Sequence, residues 1–118
     1  MINLAAETKL SQAEEIYKER VLGLSVACGQ EAAKRNVKVF IEVSTAQVYD
    51  SDKDASDESD KIKPWTTFAK FKYQAEEELR KIAGLNLIIV RPAIVYGVGD
   101  VSGISTSMDP SSLTCTQF

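Results

Sequence analysis

Two apolar runs of strand length, at residues 37–43 and 85–90, constrain the fold of this 118-residue chain more than any other feature. Both are rich in the β-branched and aliphatic residues that favour buried strands. Segments 11–35 and 66–83 precede them and space their apolar residues as one-sided helices do. Residues 2–6 form a shorter apolar run, typical of the end of a strand. The order strand, helix, strand, helix, strand predicts an α/β fold, with a parallel sheet of about three strands and two crossover helices.

Polar residues and a glycine set the predicted limits of the two helices. Ser11, with Glu14 three residues later, forms a capping box, so we expect the first helix to begin at Ser11. Asn36 is a suitable stop for this helix. We expect the second helix to begin near Thr66 and to extend to residue 83, with Gly84 as its C-cap.

The predicted topology leaves one face of the sheet uncovered. Two right-handed crossovers that move in one direction place both helices on the same face. Apolar residues of the predicted strands fall on both faces of the sheet: Phe40, Ile41, Val43, Leu87, Ile88, Ile89 and Val90. We therefore expect a bare aliphatic face and an exposed strand edge at residues 2–6, through which the chain self-associates.

Composition excludes several classes of protein. A net charge of −3 and a pI near 5.0, with no basic stripe, argue against nucleic acid as a partner. No apolar run is long enough to span a bilayer, and the N-terminus lacks the pattern of a secretory signal, so we expect no membrane partner and a cytoplasmic location. The chain contains no histidine, which removes histidine triads and histidine metal ligands.

The sequence predicts no metal site. Cys28 and Cys115 lack the spacing of metal ligands. The run Asp50-x-Asp52-x-Asp54 resembles the start of a calcium-binding EF-hand loop, but Ala55 and Lys61 stand where that loop needs Gly and Glu. We expect a solvated acidic loop instead.

Five short segments, in this order and at this spacing, resemble the extended short-chain dehydrogenase/reductase family, which includes NAD-dependent sugar-nucleotide epimerases and dehydratases. The segments are NLAA at residues 3–6, YKERVLG at 17–23, VSTAQVY at 43–49, FAKFK at 68–72 and RPAIVYG at 91–97. The resemblance implies a partial Rossmann-type sheet in which residues 1–100 are the C-terminal part of an NAD(P)-binding domain. Residues 101–118 are Ser/Thr-rich, and we expect them to form a flexible tail outside the family pattern.

The resemblance also implies a set of site residues. Thr45 matches the family hydroxyl that holds the substrate hydroxyl or carbonyl, and Lys72 matches the lysine that binds the nicotinamide ribose. The implied cofactor-binding residues are Leu4, Ala5, Ala6, Ser44, Lys72 and Pro92. Two simpler interpretations stay open, in which Thr45 caps a turn at a strand end and Lys72 is a surface lysine.

Two departures from the family pattern bear on activity. Phe68 stands at the position of the family tyrosine, the general acid/base in hydride transfer, a role worth about 10²–10⁴ in rate. Tyr73 does not replace it, because it adjoins Lys72 and points about 100° away around the helix. The glycine-rich turn that holds the dinucleotide pyrophosphate is also missing, as if the fold began at its fourth strand.

These departures predict a truncated form, such as a fragment or isoform, of an NAD(P)-dependent epimerase/dehydratase-like oxidoreductase. We expect NAD or NADP in the parent family, a sugar-nucleotide or similar carbonyl or alcohol substrate, and no tight cofactor binding or turnover by this chain alone. The alternative is a non-catalytic Rossmann-like cofactor sensor or scaffold, which Phe68 motivates.

Overall fold

A three-stranded parallel sheet lies at the centre of the computed structural model, which describes residues 1–9, 11–52, 56–93 and 95. The strands are β1 (Ile2–Asn3), β2 (Phe40–Val43) and β3 (Leu87–Val90), and β2 lies between the other two. Ile41 is in register with Ile2 on one side and with Ile88 on the other. The predicted parallel sheet is confirmed, although each strand is shorter than its apolar run.

One long helical segment connects β1 to β2. It consists of α1 (Glu14–Tyr17), a π-helical stretch (Lys18–Gly23) and α2 (Leu24–Lys34). The predicted start at Ser11 is wrong, since Ser11 has a left-handed φ of 58° and the N-cap is Ala13, without a side-chain cap bond. A capping residue needs an extended backbone, which Ser11 does not have.

The predicted end of this helical segment is confirmed. Asn36 has a left-handed φ of 52°, and the backbone N–H of Val37 donates to the carbonyl of Ala32 at 3.0 Å. This bond satisfies a carbonyl that would otherwise be left without a partner at the helix end.

The second helix, α3 (Thr67–Arg80), connects β2 to β3. Its start is confirmed, because Thr66 is the N-cap and its hydroxyl accepts from the backbone N–H of Ala69 at 3.0 Å. The predicted end at residue 83 is three residues too late. Ile82 N–H donates to the carbonyl of Leu79, three residues back, and Gly84, with φ of 77°, lies in the turn that follows.

The core lies between the helices and one face of the sheet. Phe40 of β2, Ala32 of α2 and Leu79 of α3 are buried together. Gly29 lets the two helices approach closely, because a Cβ built on it lies only 2.3 Å from Cδ2 of Leu79. A second cluster joins Tyr17, Val21 and Phe71, which are also buried.

The opposite face of the sheet carries exposed aliphatic side chains. Ile2 is 60% exposed, Ile88 47% and Val90 44%. Their neighbours on β2, Ile41 and Val43, are partly buried. Within the described residues, this confirms the expected difference between the two faces.

Two further findings concern the described residues only. None of their helices is long and apolar enough to cross a membrane. No group of three or more cysteine or carboxylate side chains among them is placed to hold a metal ion. The predicted tail at 101–118, together with Asp54 and Ala55 of the acidic loop, lies outside the described residues.

Candidate functional site

The carboxyl ends of all three strands meet at one edge of the sheet, and the sequence-predicted site residues follow them. Leu4 to Ala6 follow β1, Ser44 and Thr45 follow β2, and Pro92 follows β3. The backbone N–H of Ser44 donates to the carbonyl of Val90 at 2.8 Å, and that of Ala46 donates to the carbonyl of Pro92 at 2.9 Å. Ligands of open α/β sheets bind beyond this edge.

The turn after β1 is held by its own first residue. The side-chain oxygen of Asn3 accepts from the backbone N–H of Ala5 at 3.2 Å. Leu4 is 74% exposed and Ala5 is exposed, whereas Ala6 packs against the cluster of Tyr17. Leu4 and Ala5 are therefore open to a ligand along this turn.

Thr45 caps the 3₁₀ turn Ala46–Val48, and its hydroxyl oxygen accepts from the backbone N–H of Gln47 at 3.2 Å. The interpretation of Thr45 as the cap of a turn is therefore confirmed. A threonine hydroxyl that accepts one bond still has its own proton to donate. Because the side chain is half-buried at the strand edge, that proton remains available to a ligand oxygen.

The same turn fixes the start of α3. The hydroxyl of Thr66 donates to Oε1 of Gln47 at 3.0 Å while it caps the helix. This contact joins Gln47, two residues after Thr45, to the helix that carries Phe68 and Lys72.

Lys72 is buried, so the interpretation of it as a surface lysine is wrong. Its residue is 2% exposed, and Nζ donates to Oε1 of Glu42 at 3.0 Å and to the carbonyl of Val43 at 2.8 Å. Glu42 is fully buried in β2. The ion pair therefore joins α3 to the central strand close to its carboxyl end.

Four buried polar side chains form one connected group, the polar quartet of Asn3, Ser25, Glu42 and Lys72. Nδ2 of Asn3 donates to Oε2 of Glu42 at 2.7 Å, and the hydroxyl of Ser25 donates to Oε1 at 2.9 Å. The carboxylate thus has partners from β1, α2 and α3. Sequence reasoning missed this group, although a Glu inside a buried strand run is a signal, because a buried charge needs a partner.

Ser44 has an unusual position next to this group. Its residue is 6% exposed, and Oγ has no hydrogen-bond partner among the described residues. Buried hydroxyls are usually paired, so this unpaired one, at the carboxyl end of β2, is a candidate contact for a ligand oxygen.

The chain matches the family described as RmlD substrate binding domain over residues 1–108. It belongs to this family. The membership confirms the resemblance to the short-chain dehydrogenase/reductase group of epimerases and dehydratases that the five sequence segments indicated.

Two solved structures share the fold of this RmlD-family chain. One is the UDP-glucuronic acid 4-epimerase from Bacillus cereus in complex with NAD, with a TM-score of 0.73, 21% identity, and coverage of 81% of this chain and 32% of the epimerase. The other is MoeE5 in complex with UDP-glucose and NAD, with a TM-score of 0.65, 16% identity, and coverage of 75% and 31%. The partial Rossmann-type α/β fold is thereby confirmed.

This RmlD-family chain spans about a third of the length of either solved structure. A search of curated proteins gives no match.

Phe68, which the sequence resemblance matches to the family tyrosine, has no group that can act as an acid or a base. The ring is partly buried and meets the ring of Tyr17 edge-on, with centroids 6.4 Å apart. The hydroxyl of Tyr17 already has a partner, because it donates to the carbonyl of Lys9 at 2.9 Å. Tyr73 packs on a different cluster, with Val48, Tyr49 and Ala69.

A second buried ion pair lies beside the first and was also missed from the sequence. Arg91, which follows β3, donates from Nε and Nη2 to the two carboxylate oxygens of Glu76 on α3, and from Nη1 to the hydroxyl of Tyr49 at 2.6 Å. The hydrogen bonds that Arg91 donates to the Glu76 carboxylate raise the pKa of Arg91 above its ordinary value. Arg91 therefore stays charged, and it fixes the start of the RPAIVYG segment against α3.

Proposed function

We propose that this chain supplies the substrate side of an NAD-dependent epimerase/dehydratase-type site for a sugar nucleotide. The observation that carries the proposal is the placement of Ser44, Thr45 and Lys72 at the carboxyl end of β2, in a chain of the RmlD family. The UDP-sugar epimerase and MoeE5, which share the fold, are both NAD complexes.

The residues of this edge fit the nicotinamide end of a dinucleotide. The unpaired hydroxyl of Ser44 and the third N–H of Lys72 would hold it, and the exposed turn at Leu4 and Ala5 would lie along it. When bound, the cofactor accepts and returns a hydride. The chain's own part is to hold the reacting substrate oxygen through the free proton of the Thr45 hydroxyl.

Phe68 makes us propose that the chain alone does not turn over. A phenyl ring neither takes nor gives the proton that must leave or rejoin the substrate oxygen, a contribution of about 10²–10⁴ in rate. The test is to incubate the 118-residue chain with NAD and a UDP-sugar. We expect no epimerised or oxidised product and no tight uptake of NAD by calorimetry.

A second candidate function is a non-catalytic cofactor sensor or scaffold, and Phe68 is again the observation that favours it. A chimera separates the two, in which residues 1–93 replace the matching segment of the Bacillus cereus epimerase. If the chimera is inactive and Phe68→Tyr restores turnover, the sensor proposal gains support. Turnover by the unaltered chimera, with no gain from Phe68→Tyr, contradicts it.

We further propose that a second copy of this chain covers the bare sheet face. The described side chains of that face are uncharged and aliphatic: Ile2, Ile41, Val43, Ile88 and Val90. Because no charge lies on it, two copies can meet there despite the net charge of −3. Burying one large aliphatic side chain contributes about 1.5–3 kcal/mol, which favours association.

A further inference from the structure

We propose that Glu42 is a specificity-determining residue: by cancelling the charge of Lys72, it leaves Nζ of Lys72 and Oγ of Ser44 as partners for a neutral hydroxyl or carbonyl oxygen and not for an anion. The inference rests on the proposed function in placing a ligand at the carboxyl end of β2. It specifies the chemical group of that ligand that contacts Lys72, and it identifies Glu42 as the residue that determines this group.

The charge balance of the polar quartet is the first step. Nζ of Lys72 lies 3.0 Å from Oε1 of Glu42, and the two side chains are 3% and 0% exposed. The other two members, Asn3 and Ser25, are neutral hydrogen-bond donors to the same carboxylate. The quartet therefore carries no net charge, and an anion placed beside Lys72 would lose its hydration without meeting an uncompensated cation.

Lys72 and Ser44 each keep a hydrogen-bonding group that has no partner in the polar quartet. An ammonium group has three N–H donors, and Lys72 uses two of them, on Glu42 and on the carbonyl of Val43. Ser44 follows Val43 directly, and its buried hydroxyl has no partner among the described residues. One lysine N–H and one serine hydroxyl, which both donates and accepts, suit an alcohol or carbonyl oxygen.

Ser44 lies on the same face of the β2 strand as Glu42, one alternation further along. Along β2 the buried residues alternate, with Phe40, Glu42 and Ser44 on the covered face and Ile41 and Val43 less buried. Glu42 and Ser44 therefore face the same side, toward the helices, and Ser44 lies nearer the carboxyl end. The unpaired hydroxyl is an observation independent of the ion pair, and both lie at the ligand-binding edge.

The test uses the full 118-residue chain and inorganic phosphate as the anionic probe. Glu42→Gln keeps the shape of the side chain and removes its charge, and the double variant Glu42→Gln/Lys72→Met removes both charges. Melting temperatures are compared with and without phosphate at fixed ionic strength. The double variant measures the general stabilisation that phosphate gives to folded proteins.

We expect phosphate to raise the Tm of Glu42→Gln by about 5 °C or more beyond the double variant, at about ten times its Kd. The unchanged chain should respond as the double variant does. An equal excess in the unchanged chain would show that Glu42 does not cancel the charge. No excess in Glu42→Gln would show that Lys72 does not face a ligand. Either result overturns the proposal.

A second measurement keeps the proposal testable if Glu42→Gln does not fold. In the unchanged chain, the ¹⁵N signal of the Lys72 ammonium group is assigned by its loss in Lys72→Arg. We expect phosphate to leave this signal unmoved while it shifts the signal of the exposed Lys38. A phosphate-dependent shift of Lys72 overturns the proposal. Neither experiment uses a nicotinamide cofactor, so failure here is distinct from failure of the proposed function.

Discussion

Arg91 and Glu76 form a two-point ion pair, in which Nε and Nη2 of the guanidinium donate to the two oxygens of one carboxylate at 3.0 and 2.5 Å. The side chain of Glu76 is fully buried and that of Arg91 is 11% exposed. The pair joins the end of β3 to the middle of α3, so α3 is held by buried ion pairs near the carboxyl ends of both β2 and β3.

Loss of Arg91 should be strongly destabilising. Arg91→Met leaves the carboxylate of Glu76 buried, with the partly exposed Arg80 as its remaining ionic partner. We expect the free energy of unfolding to fall by about 3–5 kcal/mol, the usual cost of breaking a buried pair by removing one partner. Urea unfolding followed by circular dichroism measures it.

The matched control is Lys81→Met, which breaks the pair with Glu78 on the same helix. Both side chains are well exposed, at 67% and 48%. Exposed pairs contribute about 0–1 kcal/mol, so this change should be small. Equal losses for the two variants would contradict the stabilising role of Arg91.

The contact between α2 and α3 depends on Gly29. A Cβ at Gly29 would lie 2.3 Å from Cδ2 of the buried Leu79 and 3.2 Å from Cδ1 of Ile82, so one of these side chains must move. We expect Gly29→Ala to destabilise the chain by about 1–3 kcal/mol. Thermal unfolding of the two proteins gives the difference.

Gly23→Ala is the control for helix propensity. Gly23 is exposed, has helical backbone angles, and a Cβ there meets only a backbone oxygen at 3.4 Å. Replacing a helical glycine with alanine should raise the free energy of unfolding by about 0.5–1 kcal/mol. A stability gain in both variants would show that the helices do not meet closely at Gly29.

The start of α3 depends on the Thr66 cap. Thr66→Ala removes the acceptor for Ala69 N–H and the donor to Gln47, and should cost about 1 kcal/mol, as N-cap losses typically do. Ser11→Ala is the comparison. The sequence predicts Ser11 as the cap of the first helix, but in the structure the N-cap is Ala13. A comparable loss of stability at Ser11 would mean that Ser11 does cap the helix in solution.

The loop before α1 should loosen in acid. The carboxylate of Glu7 accepts from the backbone N–H of Lys9 and from Arg20, each at 3.0 Å, and these bonds lower the pKa of Glu7. A lowered pKa gives stability that is present above the ordinary pKa of 4.5 and is lost as pH falls through the folded value. The protection factor of the Lys9 amide, which is its exchange rate corrected for the intrinsic pH dependence, should therefore fall in this range.

Glu7→Gln removes the titrating group and is the control for this effect. The variant should show a lower protection factor of the Lys9 amide at neutral pH and little further change in it on acidification. If the unchanged chain and Glu7→Gln respond alike to acid, another carboxylate governs the loop.

Self-association should depend on the bare sheet face. Ile88→Ser replaces an aliphatic side chain that is 47% exposed, and we expect it to shift the chain toward monomer in sedimentation velocity. Trp65→Ser is the comparison, since Trp65 is 57% exposed but lies outside the sheet. An equal response to both changes would contradict association through the sheet face.

The sequence by itself determined the order of the elements and the two unlike sheet faces. Strand-length apolar runs that alternate with one-sided helices fix a parallel sheet, because each crossover must bury a helix on it. The N-cap at Thr66 and the stop at Asn36 were also readable, because those signals are local. The placement of Phe68 at the tyrosine position is a prediction from the family pattern alone.

Only the tertiary structure decided the conformation of Ser11 and the partners of Lys72, Glu42 and Arg91. Ser11 has a capping-box sequence, yet it has a left-handed φ, and the side chain of Tyr17 holds the carbonyl of Lys9 nearby. Lys72 and Glu42 are 30 residues apart, and Arg91 and Glu76 are 15. A buried charge must find a partner, but which one it finds depends on how helix and strand are packed together, and no local pattern carries that information.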